Sequence, residues 1–134
     1  MEEILIPNDI TVFYKTAKSF PDGVLDGHTE LHKLITFSPE RRYFGISRPE
    51  NGVIVYRAAA EEIHNGEGRE FNCDTLVLKK GRYISITIAD FMKDIKSIER
   101  TFKQLLAHPG LDPNGYCVEL YLNDKDVQCM VRLK

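Results

Sequence analysis

The stretch GYCVELYLND, Gly115 to Asp124, sets a carboxyl group, Glu119, in the middle of what otherwise reads as a buried β-strand. Side chains alternate along a strand, so Val118, Leu120 and Leu122 share one face while Cys117, Glu119 and Tyr121 share the other. An ionised carboxylate in such a place loses hydration at a cost of several kcal/mol unless charge or hydrogen bonds offset it. Tyrosine hydroxyls offset part of that cost. An organic cation offsets more, because Coulomb attraction grows as water leaves and each facing ring adds roughly 0.5 to 2 kcal/mol of cation–π attraction. The same group could instead act as a general base that directs water onto an electrophile. A lone glutamate on a strand is also compatible with a solvated sheet edge or a structural bond to a neighbouring tyrosine.

Other residues offer less. His28 and His32 stand four apart, a spacing that lets two imidazoles on one helix face hold a metal. HTELH lacks the glutamate placement of a zincin motif, however, and no third ligand is evident, so both read as surface residues and no metal is expected. Ser47 and Ser85 have no histidine base at matching positions, which leaves nucleophilic hydrolysis little support. Lys79, Lys80 and Arg82, like Arg41 and Arg42, read as exposed turns. Gly81 marks a turn or bulge, no glycine-rich phosphate loop is present, and no cofactor is expected. Cys73, Cys117 and Cys129 lack the paired spacings of metal knuckles or redox motifs and are expected to be reduced thiols.

The elements that must position Glu119 follow from hydrophobic periodicity. ITVFYKT is rich in β-branched and aromatic residues and reads as a strand. SFPDGVLDGHTELHKLI has Val24, Leu31, Leu34 and Ile35 at helical spacing, with Gly23 and Gly27 weakening its start. RRYFGISRP and GVIVYRAAAEE are two strands joined at Asn51-Gly52, a strong hairpin signal. HNGEGREFNCD is a polar connector, and TLVLKKGRYISITIAD resumes the strand pattern. FMKDIKSIERTFKQLLAHPG predicts one helical stripe through Phe91, Ile95, Ile98, Phe102, Leu105 and Leu106 that stops at His108-Pro109-Gly110. YCVELYLN and QCMVRLK form a last strand pair turning through Asn123 to Asp126.

Both halves therefore read strand, helix, strand, strand, with Phe20, Leu34 and Ile35 lying 71 positions before Phe91, Leu105 and Leu106. The offset predicts an internal duplication, with repeats at about 9–62 and 71–134 within a single domain spanning 1–134. It matches Val12, Phe13 and Tyr14 to Tyr83, Ile84 and Ser85. Phe44 and Ile46 take the core role of Val118 and Leu120, which sets Tyr43, Gly45 and Ser47 on the side of Glu119. The expected fold is α+β: an antiparallel sheet with helices on one face and a central ligand cleft on the other.

YFGISRPENGVIVYRAAAEE, LKKGRYISITIADF and VELYLND, with the two helices between them, resemble in order and spacing the GyrI-like small-molecule-binding family. That family shares its duplicated fold with the effector-binding parts of AraC-type and MerR-type transcription regulators. The resemblance covers roughly 9–134 and implies a cytoplasmic, often ligand-promiscuous protein with a cleft lined by aromatic rings. An acidic residue on the penultimate strand of that cleft engages lipophilic cations. Glu119 matches the acid, Tyr83 and Tyr121 match ring positions, and Tyr14, Tyr43, Val12 and Gly45 follow as wall positions from the repeat register, with Cys117 and Ser85 beside them. Family members with hydrolase activity toward cyclopropanoid compounds pair a tryptophan with the glutamate, and this chain has no tryptophan. A hydrolase with Glu119 as base is therefore the second expectation, and a protein-interaction module similar to gyrase inhibitors the third.

Composition agrees with a binding domain. In 134 residues, 43% are hydrophobic and 28% charged, which suits one core and excludes disorder. A net charge of −2 gives no general attraction to nucleic acid, and no appended helix-turn-helix is evident. There is no secretory signal pattern at the start and no apolar run long enough to span a membrane. The expected partner is a small molecule, with no direct nucleic-acid or membrane binding; a protein partner or homo-oligomer is left open.

Overall fold

Asn51 and Gly52 adopt φ values of +53° and +80° in the computed structural model, which describes residues 1–134. Two successive left-handed residues match the twist of the flanking strands, so β3 (Tyr43–Glu50) and β4 (Val53–Glu61) form the hairpin that the sequence predicts. Before it come β1 (Glu2–Ile6), β2 (Ile10–Thr16) and α1 (Val24–Leu34). After it come α2 (Glu67–Glu70), β5 (Asp74–Leu78), β6 (Gly81–Ile88), a 3-10 turn at Phe91–Lys93, α3 (Ser97–Leu106), β7 (Cys117–Tyr121) and β8 (Val127–Arg132).

All eight strands join one antiparallel sheet in the order β1-β6-β8-β7-β3-β4-β2-β5. The protein is α+β, and the order strand-helix-strand-strand occurs as β2-α1-β3-β4 and as β6-α3-β7-β8, with β3 and β7 paired at the centre. β1 and β2 lie toward opposite edges of the sheet yet are joined only by Pro7-Asn8-Asp9, and β5 and β6 only by Lys79-Lys80. An extended chain spans at most about 3.5 Å per residue, so the two edges approach each other and the sheet curls into a half-barrel. Where the connections meet, Asp9 Oδ1 accepts the Lys80 N–H at 2.8 Å.

The inside of the curl is filled by the sheet's own side chains. Val12, Phe44, Ile46, Tyr83, Val118 and Met130 belong to one buried cluster, against which Ile4 and Leu76 pack from the two edge strands. Because the curl packs this helix-free face on itself, its void beside Tyr83 and Val118 is only about 50 Å³, and the large cavity expected on it lies instead on the helix-bearing face. The helices cover the outer face. α1 lays Leu31 on Phe13, Tyr43, Ala58 and Ala60, where the small alanines let the helix approach closely. α3 lays Phe102 and Leu105 on Ile84, Cys129 and Val131.

Several local expectations change in the structure. The stripe predicted from Phe91 to Leu106 breaks between the 3-10 turn and α3, because the Phe91 N–H bonds the Lys125 carbonyl at 2.9 Å and Asp94, with φ −149° and ψ 80°, leaves the helical region. Ile95 and Leu106 are left exposed. The run around Lys79 divides into β5 and β6 at Gly81, whose φ is +134°. β1 and the one-turn α2 lie in segments where no element is expected.

Arg41 is not an exposed turn residue but is buried. Its Nη1 and Nη2 donate to the two Glu67 oxygens at 2.7 Å each, and Nη1 also donates to the Glu61 carbonyl at 2.7 Å. The Ile63 N–H donates to Glu67 Oε1, so the pair ties the connector to β3 and β4. Bonding to Arg41 holds the Glu67 carboxyl below its ordinary value near 4.5. A depressed carboxyl adds stability above that value and loses it as pH falls. Glu67→Ala strands a buried guanidinium and should cost about 3 to 5 kcal/mol. Thermal denaturation should show Tm lowered by about 10 °C or more, with a shallower loss of stability below pH 4.5 than the parent protein shows.

Candidate functional site

Strand register assembles the site. Glu119 lies opposite Gly45 of β3 on one side and Cys129 of β8 on the other, and Ser47 lies opposite Tyr56 of β4. All these residues are on the outer, helix-bearing face. Glu119 is 6% exposed. Tyr121 Oη donates to its Oε1 at 2.6 Å and Tyr56 Oη at 3.1 Å, while no protein donor reaches Oε2. Burial pushes this carboxyl above the usual range, and the two phenols pull it back only in part. Gly45 supplies the space for this arrangement: a β-carbon there would stand 1.9 Å from Tyr56 Oη and 2.9 Å from Glu119 Oε1.

His28 of α1 completes the network. Its Nε2 is 2.8 Å from Tyr56 Oη and 3.5 Å from Tyr121 Oη, and its ring meets both tyrosine rings edge-on. Burial, with a smaller contribution from His32, pushes this imidazole down to about 4, so it is neutral at pH 7. Burial first and Glu119 second push the Cys117 thiol up to about 11 and the Cys129 thiol to about 12. Both are protonated and inert as nucleophiles at neutral pH.

A cavity of about 1110 Å³ lies above this network, between α1 and the segment from Phe91 to Ile95. Tyr43, Tyr121 and His28 line it, and Phe37 stacks on Tyr43 with ring centroids 5.4 Å apart. Leu25, Phe37, Met92, Ile95 and Leu122 also line it and are each between 48% and 74% exposed. These large apolar side chains facing solvent around one hollow form an exposed apolar patch of the kind from which ligand grooves and interfaces are built. Asp22 and Asp124 add negative charge to the walls, whereas the one wall arginine, Arg41, is neutralised by Glu67. Glu119 is one layer behind the wall, bonded directly to Tyr121 and linked to His28 through Tyr56.

Of the residues expected at the site, Tyr43 and Tyr121 line the cavity, and Glu119, Gly45 and Cys117 lie on the same face of the sheet. Tyr83, Tyr14, Val12 and Ser85 do not join them, because their register puts them on the inner face. There Val12 and Tyr83 are core, Tyr14 lies under the Arg57 guanidinium, and Ser85 accepts from Gln128. His28 is a half-buried wall residue rather than a surface one, Tyr56 is a member of the network, and Leu122 is exposed at the rim. No group of three or more metal-ligating side chains converges, and no helix is long and apolar enough to cross a membrane.

No known family model matches the sequence, and no curated protein matches it. Similarity appears among solved structures. A protein designated SAV2435, solved with tetraphenylphosphonium bound, matches with a TM-score of 0.65 and 13% identity over 100% of this chain and 94% of its own. A Staphylococcus aureus protein described provisionally as a transcription regulation protein matches at 0.56 and 15% identity, over 98% of this chain and 99% of its own. A Listeria innocua protein described as a hydrolase matches at 0.56 and 8% identity, over 99% and 90%. At these identities the likeness establishes the fold alone.

Two outcomes follow from the network. Gly45→Ala should force Tyr56 off Glu119 and destabilise the protein by about 3 kcal/mol, which denaturant titration will read. A carboxyl raised by burial gives stability that is fully present below its ordinary value near 4.5 and is lost as pH rises through its folded value. The lowered His28 acts in the opposite sense: stability rises with pH between about 4 and 6.5. Glu119→Gln should therefore gain on the parent protein progressively from pH 4.5 upward when Tm is followed from pH 4 to 9.

Proposed function

We propose that this chain is a cytoplasmic, GyrI-like binding domain for lipophilic organic cations, acting in sensing or sequestration. One observation carries the reading: an apolar-rimmed cavity rests on tyrosines bonded to a buried carboxyl that has no protein cation to pair with. In this reading Tyr43, Tyr121 and Phe37 are the ring contacts, Glu119 supplies the charge, and Gly45 and Tyr56 position it. Tyr83, Tyr14, Val12 and Ser85 have no part. The tetraphenylphosphonium held by SAV2435 on the same fold supports the ligand class. A role in transcription would need a DNA contact from outside these 134 residues, whose elements form the sheet and its helices.

A hydrolytic role for Glu119 has less behind it. A general base must come within hydrogen-bond reach of the water or substrate proton it takes, and Glu119 lies behind Tyr121. The likeness to the Listeria innocua protein is one of fold.

Calorimetric titration with tetraphenylphosphonium at pH 7.5 should show saturable binding that weakens tenfold or more in Glu119→Gln, about 1.4 kcal/mol. Neutral triphenylphosphine oxide should bind more weakly than the cation to the parent protein and equally to both proteins. Equal affinity of the cation for both proteins would remove Glu119 from the mechanism.

A further inference from the structure

Glu119 is surrounded by groups that can hold a proton but not by any that can hold a positive charge at neutral pH. On its own strand are Cys117 and Tyr121; β4 presents Tyr56, β8 presents Cys129, and β3 presents only the backbone of Gly45. α1 presents His28, with His32 one turn further along. On the cavity wall, Asp22 and Asp124 are acids, and Arg41 is committed to Glu67. An ionised carboxylate with donors on only one oxygen and no counter-cation is left with much of its desolvation cost. The neutral acid carries no such burden.

We propose that cation uptake here is an exchange against a proton: ligand-free protein holds Glu119 as the neutral acid near neutral pH, and an entering organic cation drives that proton out. The inference rests on the reading of this cavity as a cation site and adds what the site gives up in return. The exchange is electroneutral within the buried region, one positive charge entering as another leaves.

The same geometry gives the proton a route. With Glu119 neutral, its Oε1–H donates to Tyr56 Oη, and the Tyr56 O–H donates to His28 Nε2, over contacts of 3.1 and 2.8 Å. Passing the proton moves the carboxyl hydrogen to Tyr56 and the Tyr56 hydrogen to His28, which becomes an imidazolium. The imidazolium then releases its Nδ1 hydrogen to water in the cavity it lines. What remains is a carboxylate accepting from Tyr56 and Tyr121, with Tyr56 accepting from His28 Nε2–H. No covalent bond other than these O–H and N–H bonds changes, and the heavy atoms need not move.

The test titrates tetraphenylphosphonium into the parent protein in buffers of different protonation enthalpy, at several pH values from 5 to 8.5. The expected result is about one proton released per cation bound near neutral pH, with affinity rising about tenfold per pH unit until the free acid ionises. Glu119→Gln should release none. In stopped-flow with a pH indicator, His28→Gln should keep the proton count and slow its release tenfold or more; an unchanged rate would overturn the route. Binding with no proton release and flat affinity across the range would overturn the exchange while leaving the cation site standing. Absence of binding at every pH would fell the site and the exchange together.

Discussion

A carboxyl group buried without a cation is the constraint around which the outer face of this sheet is arranged. Its two phenol donors come from different strands, Tyr121 two residues along β7 and Tyr56 across β3 on β4. Tyr56 can reach Glu119 only over a position that has no side chain, and that position is Gly45. Hydrogen bonds to a charged group stabilise by roughly 1.5 to 3 kcal/mol each, against several kcal/mol for desolvating the charge. Two donors on one oxygen offset that cost only in part, since burial still holds the carboxyl above its ordinary range. A protein selected for stability alone gains nothing from such a group, so its presence beneath an apolar hollow is an argument about ligands.

The curl of the sheet is what makes room for that hollow. Because the short links at Pro7-Asn8-Asp9 and Lys79-Lys80 bring the edges together, the inner face packs on itself and provides a core that does not depend on the helices. α1 and α3 can then stand apart on the outer face, each over its own half, without leaving the sheet unsupported. The gap between them is lined by the ends of elements: the rim of α1, the turn after β6 and the turn after β7. Segments of this kind open at lower cost than the strands beneath them, which suits a site that admits bulky guests.

Much of this was legible in the sequence, and the part that was not has a physical cause. The alternation around Glu119 grouped it with Tyr121, Tyr43 and Gly45, because strand periodicity is local, but the face they share carries the helices, whereas the cleft was expected on the opposite one. The offset of 71 matches Val12 to Tyr83, and both are buried in one cluster, but an offset says only that two strands match each other. It does not say which of their faces meets the face of a third strand, and the curl turned theirs inward. The place of Tyr56 is readable from the hairpin alone: a two-residue turn at Asn51-Gly52 pairs Glu50 with Val53 and therefore Ser47 with Tyr56, on the face that carries Glu119. Arg41 was not readable, since its partner Glu67 lies in a polar connector with no periodicity to place it.

What the cavity selects for follows from comparing its forces. Burying about 200 Å² of apolar ligand surface at 25 cal/mol per Å² contributes roughly 5 kcal/mol, whatever the ligand's charge. Each ring such as Tyr43 or Tyr121 adds roughly 0.5 to 2 kcal/mol for a cation. An ionised carboxylate about 6 Å away, at an effective dielectric near 20, adds roughly 3 kcal/mol. Apolar contact is the largest contribution and the least discriminating, because a hollow rimmed by Leu25, Phe37, Met92 and Ile95 imposes few directional demands. The electrostatic contributions are smaller, yet they alone separate a cation from a neutral molecule of the same shape. Under the proposed function, a site built in this way binds by hydrophobic area and chooses by charge, with Glu119 governing which compounds are taken up more than how tightly an apolar surface is held.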